Sequence, residues 1–139
     1  MRTQLELTFK IGFQSNHNQY DFARKITEVA STVCGGCEII WSEGYWKSCG
    51  ATHAETFTGA LIEERTLTLK LSCEVEKCDR AYLEVKNAIT YYAGKYQIDT
   101  DWVHVQRTPF TGMHFSVTQN KLSASEIRDV VSPGTRGSH

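Results

Sequence analysis

Leu5-Glu6-Leu7-Thr8-Phe9-Lys10-Ile11-Gly12-Phe13 puts an apolar side chain at every second position and a polar or small one between them. Successive side chains on a strand point to opposite faces, so this period of two predicts a strand with one buried face and one open face. A second run repeats the pattern: Leu67, Leu69, Leu71 and Cys73 face one way, Thr66, Thr68, Lys70 and Ser72 the other. Two such one-sided strands predict an antiparallel sheet covered on a single face.

Working outward, Gly12 and the Gln14-Ser15-Asn16-His17-Asn18 run mark a loop. Phe22, Ile26, Val29, Ala30 and Val33 then fall at helical spacing, with Asn18 or Asp21 available to cap the start and Gly35-Gly36 to end it. Residues 37–47 read as a strand, Glu38-Ile39-Ile40-Trp41 leading into Gly44-Tyr45-Trp46-Lys47. Residues 48–62 are loop-like, then weakly strand-like, and the Leu67 strand opens after Glu63-Glu64-Arg65, with both carboxylates at its mouth. A second helix is expected over about 79–93, burying Tyr82, Val85, Ile89 and Tyr92 and stopping at Gly94. Residues 102–106 read as a strand, 107–112 as a loop and 113–117 as a short strand. Ser123-Ala124-Ser125-Glu126 resembles a capping box opening a short helix. The order β-α-β-β-α-β predicts an α+β, ferredoxin-like antiparallel sheet with two helices on one face, plus a short C-terminal strand and helix. One domain is expected over residues 1–131; residues 132–139 read as a tail of cloning residues leading into a truncated histidine tag.

Composition narrows the function classes. A chain of 139 residues can build a core without disulfides or metal, and 40% hydrophobic with 22% charged residues is ordinary for a globular protein rather than a disordered one. A net charge of −1 argues against nucleic-acid coating and predicts no strong attraction to an anionic membrane. No apolar run approaches the roughly 18–20 residues of a membrane helix, and Arg2 is not followed by the apolar block of a secretory signal. The cysteine count is odd (Cys34, Cys37, Cys49, Cys73, Cys78), which with no such signal predicts a cytoplasmic protein.

Cys34-Gly35-Gly36-Cys37 has the spacing of half a zinc site or of a redox pair, but Cys73 and Cys78 are too far apart for the usual second half. Cys73 also belongs to the inward set of its strand, where a thiol acts as a small hydrophobe. Structural cysteines and no metal are therefore expected. The histidines His17, His53, His104 and His114 show no metal-binding grouping, and hydrolase elbow, Walker loop and dinucleotide fingerprint are all missing. Three groups carry more chemistry: Phe13-Gln14-Ser15-Asn16 where the first strand ends, Gly44-Tyr45-Trp46-Lys47, and Glu63-Glu64-Arg65-Thr66. The plain reading of the glutamates is a solvated strand entrance. That of Tyr45 and Trp46 is packing, one ring inside and one outside.

Taken in order, these groups and Thr108-Pro109-Phe110-Thr111-Gly112 resemble the S-adenosylmethionine lyases of phages, formerly called S-adenosylmethionine hydrolases. The likeness spans most of residues 5–117 as short islands, of which Glu63-Glu64-Arg65-Thr66 with its alternating strand is the distinctive one. The chain departs from the pattern between Trp46 and Glu63, where it is longer, leaving open whether Tyr45 or Trp46 takes the family's tyrosine position. The resemblance implies a ferredoxin-like fold, a homotrimer with sites between subunits, and a host-cell cytoplasmic anti-restriction role. It implies that the substrate's own carboxylate attacks its γ-carbon, expelling 5′-methylthioadenosine and leaving homoserine lactone without a cofactor. The catalytic candidates it points to are Glu64 and Tyr45. Ser15, Asn16, Trp46, Glu63, Thr108 and Thr111 are candidates for substrate binding. The alternative from another class is a non-catalytic ferredoxin-like module for a small ligand or a protein partner. Nucleic-acid binding on the sheet face is a poorer fit, with the charge balance wrong and no aromatic RNP-type motif.

Overall fold

A computed structural model describes residues 2–15, 17–48, 57–100 and 102–118. Its elements run β1 (Arg2–Phe13), α1 (Gln19–Cys34), β2 (Glu38–Lys47), β3 (Leu61–Glu74), a single 3-10 turn (Val75–Lys77), α2 (Cys78–Lys95) and β4 (Val103–Gly112). The four strands form one antiparallel sheet in the order β2-β3-β1-β4. This is the ferredoxin-like α+β arrangement.

The alternation of β1 and β3 decides where the core lies. Leu7 pairs with Leu71, Phe9 with Leu69 and Ile11 with Leu67, so the inward sets of both strands fall on one face. All six are buried. Burying side chains of this size contributes roughly 1.5–3 kcal/mol each. Helix α1 sets Phe22, Ala23, Ile26 and Ala30 against that face, and α2 sets Ala81, Val85, Ala88 and Ile89. Aromatic contacts join the layers: Phe9 stacks with Tyr82 at 6.1 Å, and Phe13 meets Phe22 edge-on at 5.8 Å. The opposite face carries Glu6, Thr8, Lys10 and Gly12 of β1 beside Thr66, Thr68, Lys70 and Ser72 of β3, and none of the described helices covers it.

Helix α1 ends as its glycines predict. Gly35 takes a left-handed φ of 83°, and its N–H donates to the Ser31 carbonyl at 2.8 Å. A side chain at Gly35 would meet no atom within 4 Å, so only backbone strain opposes one. Gly35→Ala is therefore expected to lower stability by about 1 kcal/mol, read as a fall in the urea midpoint with an unchanged slope. The start of α1 differs from expectation. Asn18 occupies the N-cap but makes no side-chain cap; its amide donates instead to the Tyr96 carbonyl at 3.1 Å, tying α1 to the end of α2.

Several boundaries move. β3 starts at Leu61, so Glu63 and Glu64 lie within the strand rather than at its mouth. Helix α2 passes through Gly94 to Lys95. The loop expected at 107–112 is strand: Arg107 faces α2, where its guanidinium reaches Asp79 at 2.7 Å and lies 5.8 Å from the Tyr82 ring. The strand expected at 113–117 does not form. Its pairing capacity is used upstream, because Gly112 is already opposite Arg2, the first residue of β1. The C-terminal helix suggested by Ser123 and Glu126 lies outside the described residues. Among the described residues no helix is long and apolar enough to cross a membrane.

Candidate functional site

β3 is longer than β1, and its first residues run past the end of its neighbour. The last β1–β3 pair is Phe13 with Arg65, so positions 61–64 pair only with β2, Tyr45 opposite Glu63 and Gly44 opposite Glu64. Five candidates gather at this end of the sheet: Tyr45, Trp46, Glu63, Glu64 and, just after β1, the exposed Ser15. Asn16 lies outside the described residues.

Strand parity divides them. Leu67 faces the core, so Arg65 and Glu63 share its side and Glu64 takes the uncovered side with Thr66. Cross-strand partners point the same way, which puts Tyr45 with Glu63, and Trp46 with Ile62 and Glu64. The two catalytic candidates, Tyr45 and Glu64, therefore stand on opposite faces of one chain's sheet.

On the uncovered face the Glu64 carboxylate lies directly over Gly12, and a Cβ at Gly12 would collide with it. Gly44, opposite Glu64, makes a matching allowance: a Cβ there would stand 2.8 Å from the Thr66 hydroxyl. Gly12 lets the carboxylate lie flat on the sheet, on the same face as the indole of Trp46, which is 39% exposed. Sequence reasoning did not single out Gly12 as part of the site. Its signal was there: it is the one residue without a side chain in the outward series Glu6, Thr8, Lys10, Gly12.

On the other face the Tyr45 hydroxyl has two acceptors for its single proton, Glu43 Oε2 at 3.2 Å and Glu63 Oε1 at 3.4 Å. The hydrogen bond to Glu43, with the nearby negative charge of Glu63, pushes the phenol above its ordinary value. Tyr45 is thus held as a neutral donor rather than a base.

Arg65, read as the basic member of the distinctive motif, has a structural task. Its guanidinium lies 4.5 Å from the centre of the Trp41 ring and 5.3 Å from that of Tyr20, joining β3 to β2 and to α1. This stack fixes the side that Arg65 faces, and hence the side that Glu64 faces. Arg65→Met keeps the stem and removes the cation. It is expected to cost about 0.5–2 kcal/mol, measured as a lowered urea midpoint; an unmoved midpoint would show the stack to be idle.

Thr108 and Thr111 are not part of this cluster. Thr108 pairs with Glu6 and Thr111 with Thr3, toward the opposite end of β1 from Gly12. Six residues of strand separate Glu6 from Gly12, about 20 Å. The two threonines also fall on opposite faces, Thr108 with Glu6 on the uncovered side and Thr111 on the helix side. Of the histidine candidates, His17 is exposed in the loop that carries Ser15, His104 is exposed opposite Lys10 on the uncovered face, His114 is exposed after β4, and His53 lies outside the described residues. Among the described residues no group of three or more His, Cys, Asp or Glu side chains is arranged to hold a metal ion.

No protein-family model matches the chain, and no curated protein does. Among solved structures it is similar to the periplasmic divalent cation tolerance protein CutA of Archaeoglobus fulgidus, at a TM-score of 0.46 and 11% identity over 78% of this chain and 87% of the other. It is similar to a phage SAM lyase in the apo state, at 0.46 and 9% over 81% and 92%. It is also similar to a PII-like signaling protein of Thermus thermophilus, at 0.42 and 12% over 79% and 93%.

Proposed function

We propose that this protein cleaves S-adenosylmethionine to 5′-methylthioadenosine and homoserine lactone, acting as a homotrimer with sites between subunits. The observation that carries the reading is the Glu64 carboxylate laid over Gly12 on the uncovered sheet face, the face that also carries Trp46. It belongs to the Glu63-Glu64-Arg65-Thr66 segment that resembles the phage lyases most distinctively.

The chemistry asks little of an enzyme in proton transfer. The nucleophile is the substrate's own ionised carboxylate, and the sulfonium leaves as a neutral thioether. The task is to bend the methionine portion until carboxylate and γ-carbon meet, and intramolecular alignment of this kind recovers up to ~7–11 kcal/mol. Glu64 attracts the substrate's ammonium or sulfonium, and the Trp46 face adds a cation–π contact of about 0.5–2 kcal/mol. Tyr45, a neutral donor, orients the attacking carboxylate. Because one chain keeps Tyr45 and Glu64 on opposite faces, they act together only when a second copy brings its Tyr45 side to the first copy's Glu64 side. A site between subunits meets that requirement. It would likewise bring Thr108 or Thr111 of one copy toward Ser15 of another, to bind ribose and adenine.

The test is direct incubation with S-adenosylmethionine, following products by chromatography. Methylthioadenosine with homoserine lactone is the expected result. Homoserine without a lactone precursor would indicate hydrolysis instead. Binding without methylthioadenosine above a blank would leave a ligand-binding module as the function. Sizing at micromolar concentration tests the assembly: a monomer would remove the shared-site model.

A further inference from the structure

Trp102 stands immediately before β4 and is 89% exposed, the most exposed of the large apolar side chains among the described residues. One bare ring is ordinary on a protein surface, so its meaning rests on where the chain holds it. The buried Ile98 donates its N–H to the Ala93 carbonyl at 2.8 Å, and the Gln14 N–H donates to the Asp99 carbonyl at 3.2 Å. These bonds fix the approach to β4 against the end of β1. Val103 then pairs with Ile11 and packs against the core. Successive side chains on a strand alternate, so Trp102 and His104 take the uncovered face. His104 lies opposite Lys10, and Trp102, one step beyond the Ile11–Val103 pair, stands level with Gly12.

The Glu64 carboxylate fills the space over Gly12. It therefore leans from β3 across β1, toward β4 and away from β2, the strand that carries Trp46. We propose that Trp102 is the aromatic wall of the Glu64 site and recognises the substrate's sulfonium through the face of its indole. The assignment rests on the lyase reading above and adds to it a residue that meets the cation. Neighbouring strands lie about 4.7–4.9 Å apart, and a ring face attracts a cation within about 6 Å of its centre. A cation resting on the carboxylate over Gly12 is thus within reach of a ring rooted one strand away. The pairing of groups sets the charge of the ligand: carboxylate and indole face both draw a cation, whereas a platform for adenine has no need of the carboxylate. A trialkyl sulfonium has no N–H for the carboxylate to accept, so a ring supplies the contact that a hydrogen bond cannot. The same face holds the neutral thioether of methylthioadenosine less well, and so favours substrate over product.

The test is calorimetric titration of the full chain with two unreactive ligands that differ at that one centre. Sinefungin carries an ammonium in place of the sulfonium, and S-adenosylhomocysteine carries a neutral thioether. Trp102→Ala is expected to weaken sinefungin by about tenfold and S-adenosylhomocysteine by less than about twofold, while Trp102→Phe, which keeps a ring face, retains most of the sinefungin affinity. Equal losses on both ligands would make the ring a platform for adenine or a structural prop, and unchanged binding of both would make it idle. Either result overturns the assignment of Trp102 and leaves the lyase reading standing. A wild-type chain that binds neither ligand would overturn that reading, and the role of Trp102 with it. Should Trp102→Ala fail to fold, Trp102→Leu, which keeps apolar bulk without a ring face, gives the same comparison.

Discussion

Glu64→Gln is expected to lower release of 5′-methylthioadenosine by about 10²–10³-fold while leaving the folded state intact. Glutamine keeps the size of the side chain and its seat over Gly12 but removes the charge. Removing a preorganised electrostatic contact to a charged reacting centre typically costs this much. Glu64 sits at the rim of the sheet rather than in the core, so the melting temperature should hold. The kinetic split identifies which cation it meets. A rise in KM alone would indicate the substrate ammonium, bound equally in ground and transition states; a fall in kcat would indicate the sulfonium, whose charge is lost as the bond breaks. Full turnover by a folded variant would remove Glu64 from the site.

Gly12→Ala is the second and more diagnostic substitution. The added methyl takes the space of the Glu64 carboxylate, which must swing off the sheet. A displacement of about 1 Å in a positioning group can cost on the order of 10²-fold in rate. Stability should move the other way or not at all, since alanine suits a strand interior better than glycine by about 0.5–1 kcal/mol. Loss of turnover with an unchanged or raised urea midpoint therefore separates this seat from a structural role. Retained turnover would show that the carboxylate works equally well elsewhere.

The two β strands that decide the fold were legible because each has one dry face and one wet face along most of its length. Leu5 to Phe13 and Leu67 to Cys73 record that asymmetry directly. The start of β3 was not legible for the complementary reason. At Glu63 and Glu64 neither a third strand nor a helix dries either side, so no alternation marks the strand. Pro109 concealed β4: it reads as a turn residue, yet β4 is an edge strand, where a missing N–H is tolerated. At the site, the outward direction of Glu64 follows from counting back from Leu67. The direction of Tyr45 does not. It depends on the register between β2 and β3, set by a long connection whose sequence names no turn type.

The overshoot of β3 past β1 has a consequence for local opening. Residues 44–47 and 61–64 form a two-stranded ribbon that leaves the four-stranded sheet behind, and ribbons of two strands are marginal in water on their own. Amide hydrogens there should exchange with deuterium well before those at Phe9 and Leu69, which open only when the whole domain unfolds. Tyr45, Trp46, Glu63 and Glu64 all ride on that ribbon. Whatever settles against it, substrate or a second copy, will be recorded first as protection of these few amides, before any change in the sheet behind them.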